Sequence, residues 1–338
     1  VLKRAFEGDL TKKWREEQTD LHSAEELLQQ IKEEREKHYQ KQLDAWKLAV
    51  EDWDDNGKEG KKPTRPKKPI KSEPISEEEL ETLKQTPKGW TISRFIDLIK
   101  YEKNAIKRGP FGSAIKKSFF VPSDYKVYEQ QNAINDDETL GNYYINEGKF
   151  KELDGFSVKG GDYIVSCSGT IGRIHKLPID CEPGIINQAL LKIILDEKLM
   201  PSKYFLYFFR SNVFQRKILK GTRGTGMQNL ASVGEIKSIP IEIPPKTEQH
   251  QIIREIETRL SISDKMEATI AESLEKAESL RQSILKKAFE GKLLNEKELK
   301  EARNAPDWEP AEKLLERIRQ EKQIKENNNK PTRRKTYG

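Results

Sequence analysis

One motif occurs twice in this chain, near both of its ends, and that repeat constrains the fold more than any other feature. Residues 1–11 read VLKRAFEGDLT and residues 284–294 read ILKKAFEGKLL, identical at seven of eleven positions. The match resumes further on, where Ala24, Glu25, Glu26, Leu27, Leu28 and Ile31 parallel Ala311, Glu312, Lys313, Leu314, Leu315 and Ile318. Whatever lies between is bracketed by two like elements. Val1 already falls inside the motif, so the native chain is expected to continue upstream and this to be a fragment or a processed half.

Ahead of the second copy, Ile252, Ile256, Leu260, Met266, Ile270, Leu274, Ala277, Leu280 and Ile284 recur mostly every three or four residues, as an amphipathic helix requires. The spacing predicts a helix from about Thr247 to Glu290, stopped at Gly291 and roughly 60 to 65 Å long at ~1.5 Å per residue. Too little chain is available to bury such a helix, so it calls for a partner helix. A second helix is predicted over 19–52, capped by Asp20 or Ser23. The Lys, Pro, Gly and Asp residues of 52–74 cannot build a core and read as a solvated connector.

Between these helices, residues 87–244 mix short strands and helices. Turn signals at Asp154-Gly155 and Gly160-Gly161-Asp162 flank runs such as Tyr163-Ile164-Val165 and predict hairpins. Tyr204, Phe205, Phe208, Phe209, Val213 and Leu219 predict one helix capped by Ser202 and ended by Gly221, its aromatic stripe serving as core. The expected class is α+β: one mixed α/β domain plus long α-helices. The expected division is 1–52, a linker over 53–86, the mixed domain over 87–244, a long helix over 245–290, the second repeat over 291–325 and a disordered basic tail over 326–338.

Charge is distributed in a way that bears on partners. The net charge of +6 lies wholly between Lys88 and Glu242, where 23 basic residues face 17 acidic; the remainder is balanced at 39 each. Within the domain, Lys88 to Lys126 carries nine basic residues against three, and Lys192 to Arg223 eight against two. Such clusters suit phosphates. No run of 18 apolar residues and no apolar leader stretch occurs, which points to a soluble, cytoplasmic protein with no membrane contact. Cys167 and Cys181 fit neither a disulfide framework nor a zinc site.

The sequence shows no catalytic constellation. The chain has no Asn or Asp followed by Pro-Pro and an aromatic, as an adenine methyltransferase needs, and residues 221–226 (GTRGTG) lack the lysine of a P-loop. His22, His38, His175 and His250 show no ligand spacing, so no metal site is expected, and Asp136-Asp137 reads as a solvated loop. Three classes stay open on residues alone: a DNA-reading subunit, a coiled-coil protein scaffold, and an enzyme with an unfamiliar site. The charge confined to one domain favours the first.

Several segments, in this order, resemble the Type I restriction-modification specificity subunits. The duplicated Ala-Phe-Glu-Gly motif (Ala5 to Leu10, Ala288 to Leu293) is similar to the end of that family's spacer helices. Leu280 to Lys287, the pair Pro244-Pro245 followed by Glu248-Gln249 and Ile252-Ile253, Pro87-Lys88-Gly89-Trp90, Gly109-Pro110-Phe111-Gly112-Ser113 and Ser168-Gly169-Thr170-Ile171-Gly172 complete the pattern. The resemblance covers residues 1 to about 325, with only one recognition domain where the family has two. It implies that the domain reads one half of a split site in double-stranded DNA, and that the long helices form an antiparallel coiled-coil spacer. It implies no catalysis, cofactor or metal in this chain. S-adenosylmethionine is expected on methyltransferase (M) subunits, ATP and Mg on a restriction (R) subunit, with the other half of the specificity subunit or a second copy of this chain as a further partner.

Base edges need paired donors and acceptors, and phosphates need cations. Gln130, Gln131 and Asn132 are expected to meet bases, because Gln and Asn can bond adenine twice. Lys116 and Lys117 after Ser113, and Lys220 with Arg223, are expected on phosphate or guanine, followed by Thr170, Arg173, Gln228 and Asn229. Phe6, Ile256, Ile270, Leu274, Leu280, Ile284 and Phe289 are expected at a subunit interface.

Overall fold

The computed structural model describes residues 1–328 apart from Asp20, His22, Ile70, Lys84, Gln85 and residues 221–228. The chain divides into two compact units, Val1–Ser261 and Ile262–Gly338.

The first unit assembles around the first copy of the repeat. The short helix Leu2–Phe6 presents Ala5 and Phe6 to the core, and the Phe6 ring meets Tyr204 and Phe208 edge-on at 5.3 and 5.6 Å. Gly8 follows at φ +78, where a side-chain carbon would come within 2.5 Å of Pro87, so the motif's glycine is needed for conformation and for space. Next to it lies a buried polar junction. The Glu248 carboxylate accepts from the Thr11 hydroxyl (2.7 Å), the Arg15 guanidinium (2.7 Å from Nη2) and the Trp90 indole (2.8 Å), while Arg15 also donates to the Gly8 carbonyl. Buried charge is tolerable only when its lone pairs are so filled.

The helix Ala24–Asp55 starts where Ser23 accepts from the Glu25 amide, and it buries only Ala24, Leu28, Ile31 and Tyr39. The lysine- and proline-rich segment after it stays out of the core, as its composition predicts, but it is pinned. The Trp46 indole donates to the Pro63 carbonyl, Arg65 lies over the Trp46 ring, and the Tyr101 hydroxyl donates to the Lys67 carbonyl. Within the segment expected to be linker, Glu77–Thr82 is a helix with a Ser76–Glu79 capping box. The Arg94 guanidinium grips Glu79 and holds its carboxyl down at about 2.

Thr91–Arg94 pairs antiparallel with Pro240–Ile243, bringing the two ends of the domain side by side. Between them lie a four-stranded antiparallel sheet, in the order Ile106–Arg108, Leu190–Ile193, Tyr163–Ser166, Ile174–Lys176, and a five-stranded sheet. Tyr163–Ser166 does form a hairpin, with Ile174–Lys176. The Gly160-Gly161-Asp162 turn does not close one: the preceding strand Ser157–Val158 pairs with Gly184–Ile186 in the other sheet. The two inner strands of the four-stranded sheet are buried on both faces, Lys192 included, whose ammonium donates to the Ser157 carbonyl.

The aromatic stripe is core, as expected, but its helix is two helices. Ser202–Arg210 stops and Asn212–Ile218 starts at Ser211, which donates to the Phe208 carbonyl and accepts from the Phe214 amide. After Pro244-Pro245 a 44-residue helix runs from Lys246 to Phe289, within a residue of the predicted bounds. Its start belongs to the first unit, where Gln249, Ile252, Ile253 and Ile256 are buried. Phe6 and Ile256, expected at a subunit interface, thus lie inside this chain's own core.

In the second unit the helix continues with Ile270, Leu274, Leu280, Ile284 and Phe289 all exposed. Helices Glu296–Arg303 and Ala311–Asn328 follow. The last runs through the start of the segment expected to be a disordered tail, of which 329–338 lie outside the described residues. No described helix is long and apolar enough to cross a membrane.

Replacing Glu248 by Ala would strand the Arg15 guanidinium in a dry site. The expected cost is about 3–5 kcal/mol, read as a shift of the denaturant midpoint of the compact unit.

Candidate nucleic-acid interface

Antiparallel pairing places the end of Ile106–Arg108, the start of Leu190–Ile193 and the Tyr163–Ser166 to Ile174–Lys176 turn at one end of the four-stranded sheet. Three loops therefore converge: residues 109–114, 167–173 and 187–189. Hydrogen bonds tie them together. The Gly109 amide donates to the Leu190 carbonyl (2.8 Å) and the Cys167 amide to the Ala189 carbonyl (2.7 Å). Gly109 touches the third of these loops so closely that a side-chain carbon would lie 1.8 Å from the Asn187 carbonyl oxygen. In the hairpin turn, the Ser166 hydroxyl donates to the Thr170 carbonyl and accepts from the Arg173 amide, which leaves both side chains outward.

Two neighbours border the cluster. A side-chain carbon on Gly169 would lie 3.6 Å from Ile134, on the helix Gln130–Asn135, and Gln215 donates to the Gly172 carbonyl beside Leu219. Leu219–Lys220 pairs with Asn229–Leu230.

The expected base and phosphate contacts fare unequally. Ser113, Lys116, Lys117, Thr170, Arg173 and Asn229 are exposed. Gln130 and Gln131 are half-buried, and Gln131 is bonded to Glu129. Asn132 is 0% exposed: its oxygen accepts from the Glu129 amide and its nitrogen donates to the Asp137 and Leu140 carbonyls. It holds the loop after its helix and cannot reach a base edge. Lys220 is paired with Glu235. Arg223 and Gln228 lie outside the described residues.

The charge clusters also change meaning. Arg94, Lys126, Lys192 and Lys217 are buried or half-buried and spent on carbonyls and carboxylates, while Lys198, Lys203 and Arg210 pair with Glu34, Glu257 and Asp136. Burial pushes the Lys192 and Lys217 ammonium groups below their ordinary values. Among the described residues of the domain, the exposed cations without a hydrogen-bond or ion-pair partner are Arg108, Lys116, Lys117, Arg173 and Arg216, in or next to the loop cluster, and Lys88, Lys103 and Lys159, away from it. Arg108, Arg216 and the exposed Gln188 were missed in the sequence. The signal for Gln188 was there: Asn187-Gln188 is a polar pair between two apolar strands.

His175 and Asp136, read as scattered and solvated, meet in the fold at 2.7 Å, with Glu138 3.3 Å away and Arg210 also on Asp136. Burial works against the Asp136 carboxylate, but hydrogen bonds from His175 and Arg210 hold its pKa below the ordinary value. This ties the 136–138 loop to the sheet. No grouping of His, Cys, Asp and Glu among the described residues could hold a metal ion. Cys167 and Cys181 are free thiols, and burial pushes Cys167 up to about 11.

A family profile described as the Type I restriction modification DNA specificity domain matches residues 87–276. Similar proteins include the Type I restriction enzyme EcoBI specificity subunit of Escherichia coli, 27% identical over 165 residues, or 49% of this chain and 34% of that one. The EcoKI specificity subunit of Escherichia coli (strain K12) is 29% identical over 154 residues, covering 46% and 32%. The chain thus matches about a third of the length of these relatives. The crystal structure of the HsdS subunit from Thermoanaerobacter tengcongensis aligns with 80% of this chain and 57% of its own, at 15% identity and a TM-score of 0.42.

Replacing Asn132 by Ala is expected to cost about 1–3 kcal/mol of stability by orphaning buried backbone groups, with the base preference of any remaining folded protein unchanged. Thermal melts and a binding-site selection on the variant read the two effects separately.

Proposed function

The chain belongs to the family of Type I restriction modification DNA specificity domains, and on that premise we propose that it reads one half of a bipartite DNA target through the loop cluster at the end of its four-stranded sheet. The observation that carries this reading is the coincidence of unpaired cations with polar side chains on rigidly tied loops. Arg108, Lys116, Lys117, Arg173 and Arg216 suit phosphates, while Thr170, Gln188, Gln130 and Gln131 offer donors and acceptors for base edges.

On this reading the chain is a non-catalytic component. S-adenosylmethionine belongs to methyltransferase subunits that dock on it, and ATP and Mg to a restriction subunit. The repeat supports a docking role for the second unit. In the first copy Leu2, Phe6 and Leu10 pack against the recognition domain's core, whereas their counterparts Leu285, Phe289 and Leu293 are exposed. The uncovered copy suits a second recognition domain, from the other half of the specificity subunit or another copy of this chain. The stripe of Ile270, Leu274, Leu280 and Ile284 suits an antiparallel partner helix.

Filter binding of the assembled complex against salt tests the DNA reading. Replacing Lys116, Lys117 and Arg173 together by Ala should make the slope of log K against log salt shallower by about 2 to 3 without moving the melting midpoint. A wild-type complex with no salt-dependent binding would contradict the reading. Leu274→Asp combined with Ile284→Asp is expected to weaken assembly at least about tenfold, measured as the mass of the complex by sedimentation.

A further inference from the structure

Phe111 stands out in the loop cluster because nothing covers it. Its side chain is 90% exposed, the most exposed of the large apolar side chains among the described residues of the first unit. The nearest rival, Ile179 at 83%, sits at the opposite end of the sheet, past Lys176. Single exposed apolar residues are ordinary on protein surfaces; what is unusual here is the mounting. Pro110 before it is buried, and Gly109 is clamped against the Asn187 carbonyl. After it, the Phe111 carbonyl accepts from the Ala114 amide (2.9 Å) in the turn Gly112–Ala114, and Ala114 and Ile115 pack, partly buried, against the cluster of Val127, Ile145, Leu153 and Ile185. Asn187 is itself fixed, its amide donating to the Tyr128 carbonyl and its side chain accepting from the Ala189 amide. The ring is therefore held out on a rigid pedestal, with Arg108 on one side in sequence and Lys116 and Lys117 on the other.

We propose that Phe111 is a wedge that stacks into a base step of the bound duplex while the flanking cations hold its phosphates. This rests on the reading that the loop cluster meets DNA, and it deepens that reading by assigning part of the specificity to duplex deformation. A ring driven into a stack opens flexible steps more readily than stiff ones, so it discriminates at positions that no hydrogen bond touches.

The test uses the full specificity subunit assembled with its methyltransferase subunits, and duplexes bearing the target found by methylome sequencing. 2-Aminopurine, whose fluorescence rises on unstacking, is placed at one position at a time. The wild-type complex should brighten the probe at one step. Phe111→Ala should abolish that signal, lower target affinity about 10- to 100-fold and leave the salt slope and melting midpoint unchanged; Phe111→Trp should keep signal and affinity. A Phe111→Ala complex with wild-type fluorescence and affinity overturns the wedge while leaving DNA reading intact, as does a wild-type scan silent at every position despite salt-dependent binding. Loss of methyltransferase association in Phe111→Ala, with DNA binding kept, overturns it in favour of a protein contact. A wild-type complex that shows no salt-dependent binding overturns both the wedge and the reading beneath it.

Discussion

The Glu248 carboxylate joins three parts of the chain that sequence keeps far apart: Thr11 and Arg15 after the first repeat motif, Trp90 at the opening of the recognition domain, and the first turn of the 44-residue helix that carries Glu248 itself. A buried carboxylate with all its partners is compatible with the core, and one missing any of them is not. The junction therefore ties the first turn of the long helix to the seating of the repeat. Phe6 against Tyr204 and Phe208, and Gly8 against Pro87, complete the same docking from the apolar side. The second motif copy has no counterpart of Arg15, since Glu298 occupies the aligned position. The two copies share an apolar face without sharing this polar lock.

From that anchored frame the functional end follows by topology. Antiparallel pairing of four short strands delivers three loops to one edge, and backbone hydrogen bonds between them hold their side chains without using those side chains up. Fixed loops on a buried sheet lose little freedom when they bind, which favours discrimination between similar ligands. Of the domain's exposed, unpaired cations, Arg108, Lys116, Lys117, Arg173 and Arg216 lie at or next to this end, whereas Lys88, Lys103 and Lys159 lie elsewhere.

Much of this was legible in the sequence. The spacing of apolar residues located the helix Lys246–Phe289, and the aromatic stripe around Phe205 was identified as core. Periodicity reports which face is apolar but not what covers it, so it points Phe6 and Ile256 to a subunit interface, whereas this chain's own core covers them. Charge counts likewise cannot separate Lys192, threaded between two sheets, from Lys116 on an open loop. Asn132 was misjudged because an amide suited to adenine is equally suited to three backbone groups. The pairing of His175 with Asp136, 39 residues apart in sequence, and the switch of sheets at Gly160 are products of tertiary folding that no local pattern records.

On the proposed reading, the loops at one end of the four-stranded sheet meet the DNA. Hydrogen exchange of the assembled complex, with and without a duplex carrying its target, tests this directly. Added DNA is expected to slow exchange in residues 109–119, 167–173 and 187–189, and to leave the opposite end of the sheet around Ile179 unchanged. Protection confined to the lysine- and proline-rich strap or to the long helix, with these three loops unaffected, would contradict it.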